Sequence, residues 1–107
     1  MSLRDFNWSQ KEKKIAKAAY DKAYQKEMNE IKNELKKRID DLDDLKQIWS
    51  IHDYLTERRD EIDEKYDYRY SVLILVFIKL ISEGYIEEKD LEGLSEDKLE
   101  AIGILSK

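Results

Sequence analysis

The sequence has no cysteine and no proline, and it contains only three glycines and a single histidine, His52. Without cysteine the chain offers no disulfide, no thiolate nucleophile and no sulfur ligand for a metal. A lone histidine argues against histidine-rich metal sites and against a histidine-based triad. The shortage of proline and glycine argues against a turn-rich sheet and favours long helices. We therefore expect an all-α protein with no metal and no other cofactor.

Long apolar runs are also missing. The best candidate, residues 71–81, is too short to span a bilayer, and Lys79 interrupts it. The N-terminus does not resemble a signal peptide. These features predict a soluble cytoplasmic protein without integral membrane association. Its 107 residues suffice for a single domain, 1–107, with one modest core.

Charge is abundant but unevenly distributed. Residues 1–38 carry 11 basic and 6 acidic groups, whereas residues 39–107 carry 9 basic and 19 acidic groups. The two parts should attract each other, either within one chain or between two chains. Nucleic acid is disfavoured as a partner, because the larger acidic part would repel its phosphates.

The first helix should begin at Ser9. Ser9 and Glu12 fit the S-x-x-E capping box, in which each side chain satisfies the other residue's backbone amide. Helical spacing of apolar residues then continues for about thirty residues. Aspartates at 40, 41, 43 and 44 are poor helix formers, so we expect a break there, with Asp40 or Asp41 capping the next helix. The heptad phase runs through this break, which leaves one unbroken helix as the alternative.

Residues 45–66 form the stretch around which the chain is organised. Their apolar positions alternate steps of three and four residues, as in the seam of a packing helix. The seam positions are Leu45, Ile48, His52, Leu55, Arg59, Ile62 and Tyr66. Histidine and arginine in such a seam are costly unless each finds a partner. We therefore interpret the seam as a contact surface with a polar centre.

The apolar run at residues 72–78 is rich in valine and isoleucine and could form a strand by itself. Helical spacing, the absence of a second strand to pair with, and Gly84 at the place of a C-terminal cap predict a helix instead. Two short helices should follow, one at about 87–91 and one capped by Ser95 that continues to about Leu105. Together they predict a small helical head at residues 67–107.

Two amphipathic helices with more apolar surface than one neighbour can cover predict self-association. We expect residues 9–66 of two chains to form a dimeric four-helix stalk. The predicted dimer interface comprises Ile31, Leu35, Leu42, Leu45, Ile48, Trp49, His52 and Arg59.

Trp49, His52, Asp53 and Arg59 form the main candidate site. One interpretation is a satisfied polar patch in the core beside an interfacial tryptophan. The other is a protein-recognition surface, because tryptophan and arginine carry much of the energy in interfaces. Catalysis is the weakest interpretation, because adjacent helix residues such as His52 and Asp53 point about 100° apart and no activated nucleophile is evident.

Several segments resemble the fluorescence recovery protein family of cyanobacteria. They are residues 8–10, 23–27, 49–55, Arg59, 61–63 and 65–71. The specific pattern is W-x-x-H-D-[FY]-L followed by E-I-D-x-K-Y-D-x-R. The resemblance implies a non-enzymatic, all-α homodimer that binds the orange carotenoid protein, mainly through that partner's C-terminal domain. It implies faster return of the photoactivated partner to its inactive form and its release from the phycobilisome.

The resemblance also implies which residues bind the partner. The stalk residues are Trp49, His52, Asp53 and Arg59, and the head region offers Leu75, Phe77 and Lys98, of which Phe77 and Lys98 are the predicted contacts. It further implies a cytoplasmic protein that reaches the thylakoid surface through its partner. The alternative is a structural or regulatory helical dimer of the same family, with a different partner protein in a bacterium that lacks the carotenoid protein.

Overall fold

The computed structural model describes residues 6–104. Its four α-helices are α1 (Gln10–Asp40), α2 (Ile48–Lys65), α3 (Leu73–Ser82) and α4 (Glu96–Ile102). Two 3₁₀ turns, at Leu45–Gln47 and Glu88–Leu91, precede α2 and α4. No strand occurs between residues 6 and 104. The predicted all-α class is confirmed, including the helix over the apolar run of α3.

Helix α1 starts with the predicted capping box. The Ser9 hydroxyl accepts a hydrogen bond from the Glu12 amide at 3.1 Å, and the Glu12 carboxylate accepts one from the Ser9 amide at 3.0 Å. Along its first half, Ala16, Ala19 and Ala23 are fully buried. Their small side chains let the later helices approach the α1 backbone closely.

The predicted break after α1 is confirmed, but the capping residue differs. The Asp44 carboxylate, and not that of Asp40 or Asp41, accepts from the Lys46 amide at 2.9 Å and starts the 3₁₀ turn that leads into α2. Asp41 instead ends α1, with its amide donating to the Lys37 carbonyl. Only Leu42 and Asp43 therefore separate the end of one helix from the cap of the next.

Helix α3 supplies five buried residues to the central core, and Gly84 terminates it as predicted. Gly84 adopts φ 81°, a left-handed conformation that favours glycine. The Tyr85 amide donates to the Leu80 carbonyl at 2.9 Å and the Gly84 amide to the Ile81 carbonyl at 3.0 Å, which is a Schellman cap. The chain then turns back so that Tyr85 and Ile86 also enter the core.

Helix α4 begins after Ser95, as expected, but Ser95 does not cap it through its hydroxyl. That hydroxyl donates to the Asp97 carboxylate at 2.5 Å. The helix ends at Ile102, where Gly103 is left-handed with φ 95°. The predicted end near Leu105 lies outside the described residues.

The described chain is elongated, with extents of 54 × 25 × 23 Å and a Cα radius of gyration of 17.1 Å. A compact domain of this length would have a radius of gyration of about 13 Å. One core joins the first half of α1 to α3, α4 and the turns between them. We call this part the head; it takes in the first half of α1, which the prediction had placed in the stalk at residues 9–66. We call the second half of α1 together with α2 the stalk.

Helix α2 packs on α1 through a face that shares only the buried Ile62 and the half-buried Leu55 with the predicted seam. Ile51 and Ile62 are its buried residues, and Tyr54 and Arg58 lie between them on the same face. The Tyr54 ring lies under the Arg38 guanidinium of α1 at 4.0 Å. The predicted seam is therefore rotated outwards, and most of its residues face away from the chain's own core.

No helix within residues 6–104 has both the length and the apolar character needed to cross a membrane.

Candidate protein-interaction site

The outer face of α2 and of the turn before it is exposed although it is largely apolar. Leu45 is 78% exposed, Trp49 69% and Ile48 47%. His52 follows Ile48 and Trp49 within one helical turn, and Arg59 continues the same side with a side chain that is 83% exposed. Exposed apolar side chains that adjoin one another in this way are typical of protein-interaction surfaces. We call Leu45, Ile48, Trp49, His52, Asp53 and Arg59 the stalk surface.

The polar groups of the stalk surface make only loose contacts within the chain. The His52 and Trp49 rings meet edge to face, with centroids 6.3 Å apart. His52 Nδ1 lies 3.6 Å from Asp53, and Arg59 Nε lies 3.8 Å from Asp63, both beyond hydrogen-bond length. The stalk surface is therefore not a satisfied polar patch of this chain's core, and its donors and acceptors remain available to another molecule.

Catalytic features are not evident at the stalk surface. His52 and Asp53 are too far apart for a tight hydrogen bond, and both side chains are largely exposed to water. Among residues 6–104, no group of three or more histidine, aspartate or glutamate side chains could hold a metal ion. The arrangement suits non-covalent recognition of a protein surface.

A groove lies beside the stalk surface, between α1 and α2. It has a volume of about 470 Å³. Five apolar or aromatic side chains and three charged ones line it: Tyr24, Met28, Ile31, Leu55 and Ile62, with Arg58, Arg59 and Asp63. Arg59 thus belongs both to the rim of the groove and to the stalk surface.

The residues of the predicted dimer interface fall into two groups. Ile31 is buried between α1 and α2, and Leu35 and Leu42 are half-buried. The other five, Leu45, Ile48, Trp49, His52 and Arg59, are exposed on the stalk surface. The structure is a single chain, so the dimer interface stays a prediction.

The two predicted contacts in the head are not accessible. Phe77 is 0% exposed in the centre of the core, and Lys98 is 3% exposed with its ammonium 3.1 Å from the Glu12 carboxylate. Their predicted role in partner binding is wrong for this conformation, because neither side chain reaches the surface. Leu75, the other residue that the head region offered, is 52% exposed on α3.

Sequence reasoning missed a buried polar cluster where the stalk meets the head. Glu27 of α1 is 0% exposed and accepts hydrogen bonds from Arg58, Lys65 and Tyr66 at 2.8, 2.8 and 2.9 Å. Burial, together with the hydrogen bond to Glu27, raises the pKa of Tyr66 and keeps its phenol protonated. We call Glu27, Arg58, Lys65 and Tyr66 the junction cluster. It borders a second cleft, of about 610 Å³, between α2 and α3.

The fold and the stalk surface together define a class: an elongated all-helical protein with an exposed apolar and charged surface suited to protein contacts. Residues 8–106 match the family model described as "Photoprotection regulator fluorescence recovery protein". The chain belongs to the fluorescence recovery protein family, whose members are photoprotection regulators.

Individual relatives agree with this assignment. The chain is similar to the fluorescence recovery protein of Synechocystis sp. PCC 6803, with 37% identity over 100 residues that cover 94% of this chain and 92% of that protein. The solved Fremyella diplosiphon fluorescence recovery protein is 43% identical with a TM-score of 0.86, covering 94% of this chain and 98% of that one. The solved Synechocystis structure also has a TM-score of 0.86, covering 91% and 95% of the two chains.

Proposed function

We propose that this protein is a non-enzymatic regulator that binds photoactivated orange carotenoid protein and accelerates its return to the inactive form. Binding would also promote the partner's release from the phycobilisome. No covalent bond changes in this scheme. A binding protein accelerates such a relaxation by binding the transition region or an intermediate more tightly than the starting state.

The observation that carries this proposal is the exposed stalk surface. Trp49 and Arg59 are of the residue types that dominate interface energies, and both are largely exposed in the single chain. His52 and Asp53 add a donor and an acceptor that have no hydrogen-bonded partner within the described chain. In the head, the exposed Leu75 replaces the buried Phe77 and Lys98 as the proposed contact.

We further propose that the functional form is a homodimer through the stalk. Within one chain, Ile31, Ile51 and Ile62 are the only buried apolar residues of the stalk, whereas Ile39, Leu45 and Ile48 remain exposed. A second copy could cover Ile39, Leu45 and Ile48 and fill the groove between α1 and α2, giving a four-helix arrangement.

The decisive experiment mixes the protein with photoconverted orange carotenoid protein in the dark and follows the recovery of the partner's absorbance. We expect faster recovery with the wild-type protein and a loss of most of that acceleration for Trp49→Ala and Arg59→Glu. Lys14→Glu, an exposed change on the head end of α1, is the matched charge control and should behave as wild type.

Recovery that stays unchanged at several-fold molar excess of the protein would overturn the proposed partner. That result would favour the alternative, a regulatory helical dimer of the same family that acts on a different protein. Pull-down of a protein from the host by wild type but not by Trp49→Ala would then identify the stalk surface as its binding site.

A further inference from the structure

Lys65, the last residue of α2, connects three helices. Its ammonium lies 2.7 Å from one Glu27 oxygen and donates to the other at 2.8 Å, and it donates to Glu83 at 2.6 Å. Glu27 belongs to α1 and Glu83 is the residue that ends α3. The Lys65 side chain is only 9% exposed, and its ammonium also lies 5.0 Å from the centre of the Tyr85 ring. One cation therefore joins the stalk to the head.

Along its length α2 is attached to α1, through Ile51, Ile62 and the Arg58–Glu27 ion pair, but it has little other attachment to α3. The head core draws on the first half of α1 and on α3 and α4, and it includes no residue of α2. Beyond Lys65 the chain crosses to α3 through residues 66–72, while an open cleft separates α2 from α3 alongside. The position of α2 relative to α3 is thus set chiefly at the last residue of α2.

A buried ion pair suits this role better than an apolar contact would. Apolar surfaces can slide over one another at little cost, whereas a buried charge must keep its partners or lose several kcal/mol. Burial alone would raise the pKa of Glu83, but hydrogen bonds from Lys65 and Lys79 outweigh it and lower that pKa. The Glu83 carboxylate therefore opposes the displacement of Lys65.

We propose that Lys65 is a clasp: by bridging Glu27 of α1 and Glu83 at the end of α3, it holds the α3 side of the head against the end of α2. The clasp is a conformational device of this fold and does not depend on which protein the stalk surface binds. Opening it would let α3 shift relative to the end of α2 and widen the cleft between them, while α2 keeps its packing on α1.

The test measures the distance between α2 and the head in solution. The sequence contains no cysteine, so spin labels can be placed at Glu57→Cys on α2 and Glu100→Cys on α4, both exposed. Electron–electron double resonance on labelled protein diluted with unlabelled protein reports the distance within one chain. We expect a narrow distribution for the otherwise unchanged chain, and one about twofold wider for Lys65→Met and for Glu83→Ala, as for a released hinge.

Lys79→Met is the matched control. Lys79 also contacts Glu83, at 3.2 Å, but it lies on α3 itself and so joins no further element. Its removal should leave the distribution narrow. Glu83→Ala leaves the junction cluster around Glu27 in place, so this variant decides the question even if Lys65→Met does not fold. An unchanged width for Glu83→Ala, or equal broadening for Lys79→Met, would overturn the proposal.

Discussion

At the scale of single residues, buried charged side chains link helices that are far apart in sequence. Glu12 both caps α1 and accepts hydrogen bonds from the Ser95 amide and the Lys98 ammonium, at 2.8 and 3.2 Å. It therefore ties the start of the first helix to the start of the last. Glu27 has the same function at the junction of stalk and head.

Glu12 should control the acid stability of the head. Burial alone would raise its pKa, but hydrogen bonds from the Ser9 and Ser95 amides and from Lys98 outweigh burial and lower the pKa from 4.5 to about 2. Because the folded-state pKa lies below the unfolded value, ionised Glu12 stabilises the fold above pH 4.5, and this contribution is lost as the pH falls towards 2. Glu12→Gln should lower the free energy of unfolding at pH 7 by about 2 kcal/mol.

Urea unfolding at pH 7, 4.5 and 3 measures this effect. The difference in the free energy of unfolding between wild type and Glu12→Gln should shrink as the pH falls from 7 to 3. Glu100→Gln, an exposed change on α4, is the control and should keep the wild-type profile. A difference between wild type and Glu12→Gln that is independent of pH would contradict the assignment.

The placement of Phe77 and Leu75 gives a second prediction at this scale. Phe77→Ala should destabilise the protein by about 3–5 kcal/mol, because it leaves a cavity in the core. Leu75→Ala, at an exposed position two residues earlier, should change stability by less than about 0.5 kcal/mol. Chemical denaturation compares the two variants directly. Similar losses for both would mean that α3 is rotated from the orientation described.

At the scale of helices, the sequence predicted starts and ends better than faces. The Ser9 capping box, the break at residues 40–44 and the Gly84 cap depend on neighbours in sequence, so local patterns reveal them. The face of α2 depends on tertiary partners. Arg58 packs inwards because Glu27 is there to meet it, whereas the apolar spacing had placed the exposed Arg59 in the seam.

The same reason explains why the junction cluster was missed and the stalk surface was found. Glu27, Arg58 and Lys65 look like surface charges until the fold brings them together over separations of 31 and 38 residues. Trp49 and His52 lie one helical turn apart, so their association could be predicted from spacing. Phe77 and Lys98 were placed by resemblance without a register, and burial excludes both.

The cap of α2 supplies a prediction for the turn between the stalk helices. Asp44→Ala removes the carboxylate that accepts from the Lys46 amide and should lower the free energy of unfolding by about 1 kcal/mol. Asp41→Ala, at the end of α1, removes no such bond and should cost less. Thermal unfolding of the two variants distinguishes them, and faster amide hydrogen exchange at Lys46 in Asp44→Ala alone would locate the effect. Equal losses would favour the sequence-based assignment of the cap.

At the scale of the whole molecule, elongation and sparse burial in the stalk belong together. The head has a continuous core, but the stalk leaves a groove and an apolar face open. A chain of this shape gains more stability from dimerisation than a compact chain would, because the two helices of the stalk bury too little apolar surface by themselves.

Charge reversal at Arg59 tests self-association. Arg59 lies on the rim of the groove, so Arg59→Glu places a negative charge beside Asp63 and on the surface proposed for the partner copy. We expect the dissociation constant of the dimer to rise about tenfold or more, which corresponds to about 1.4 kcal/mol. Light scattering coupled to size exclusion over a dilution series measures the shift. A molar mass that matches the wild type at every concentration would count against a dimer through this face.

The two tryptophans lie in opposite surroundings. Trp8 packs against Tyr70 in the head with the Lys98 ammonium 5.0 Å from its ring, whereas Trp49 stands in water on the stalk. The chain thus contains its own fluorescent probe. In a Trp8→Phe background, the emission wavelength of Trp49 and its quenching by iodide report whether another molecule covers the stalk surface. Binding to the stalk surface can therefore be followed in real time without a dye. In the complementary Trp49→Phe background, the fluorescence of Trp8 reports whether the head remains folded.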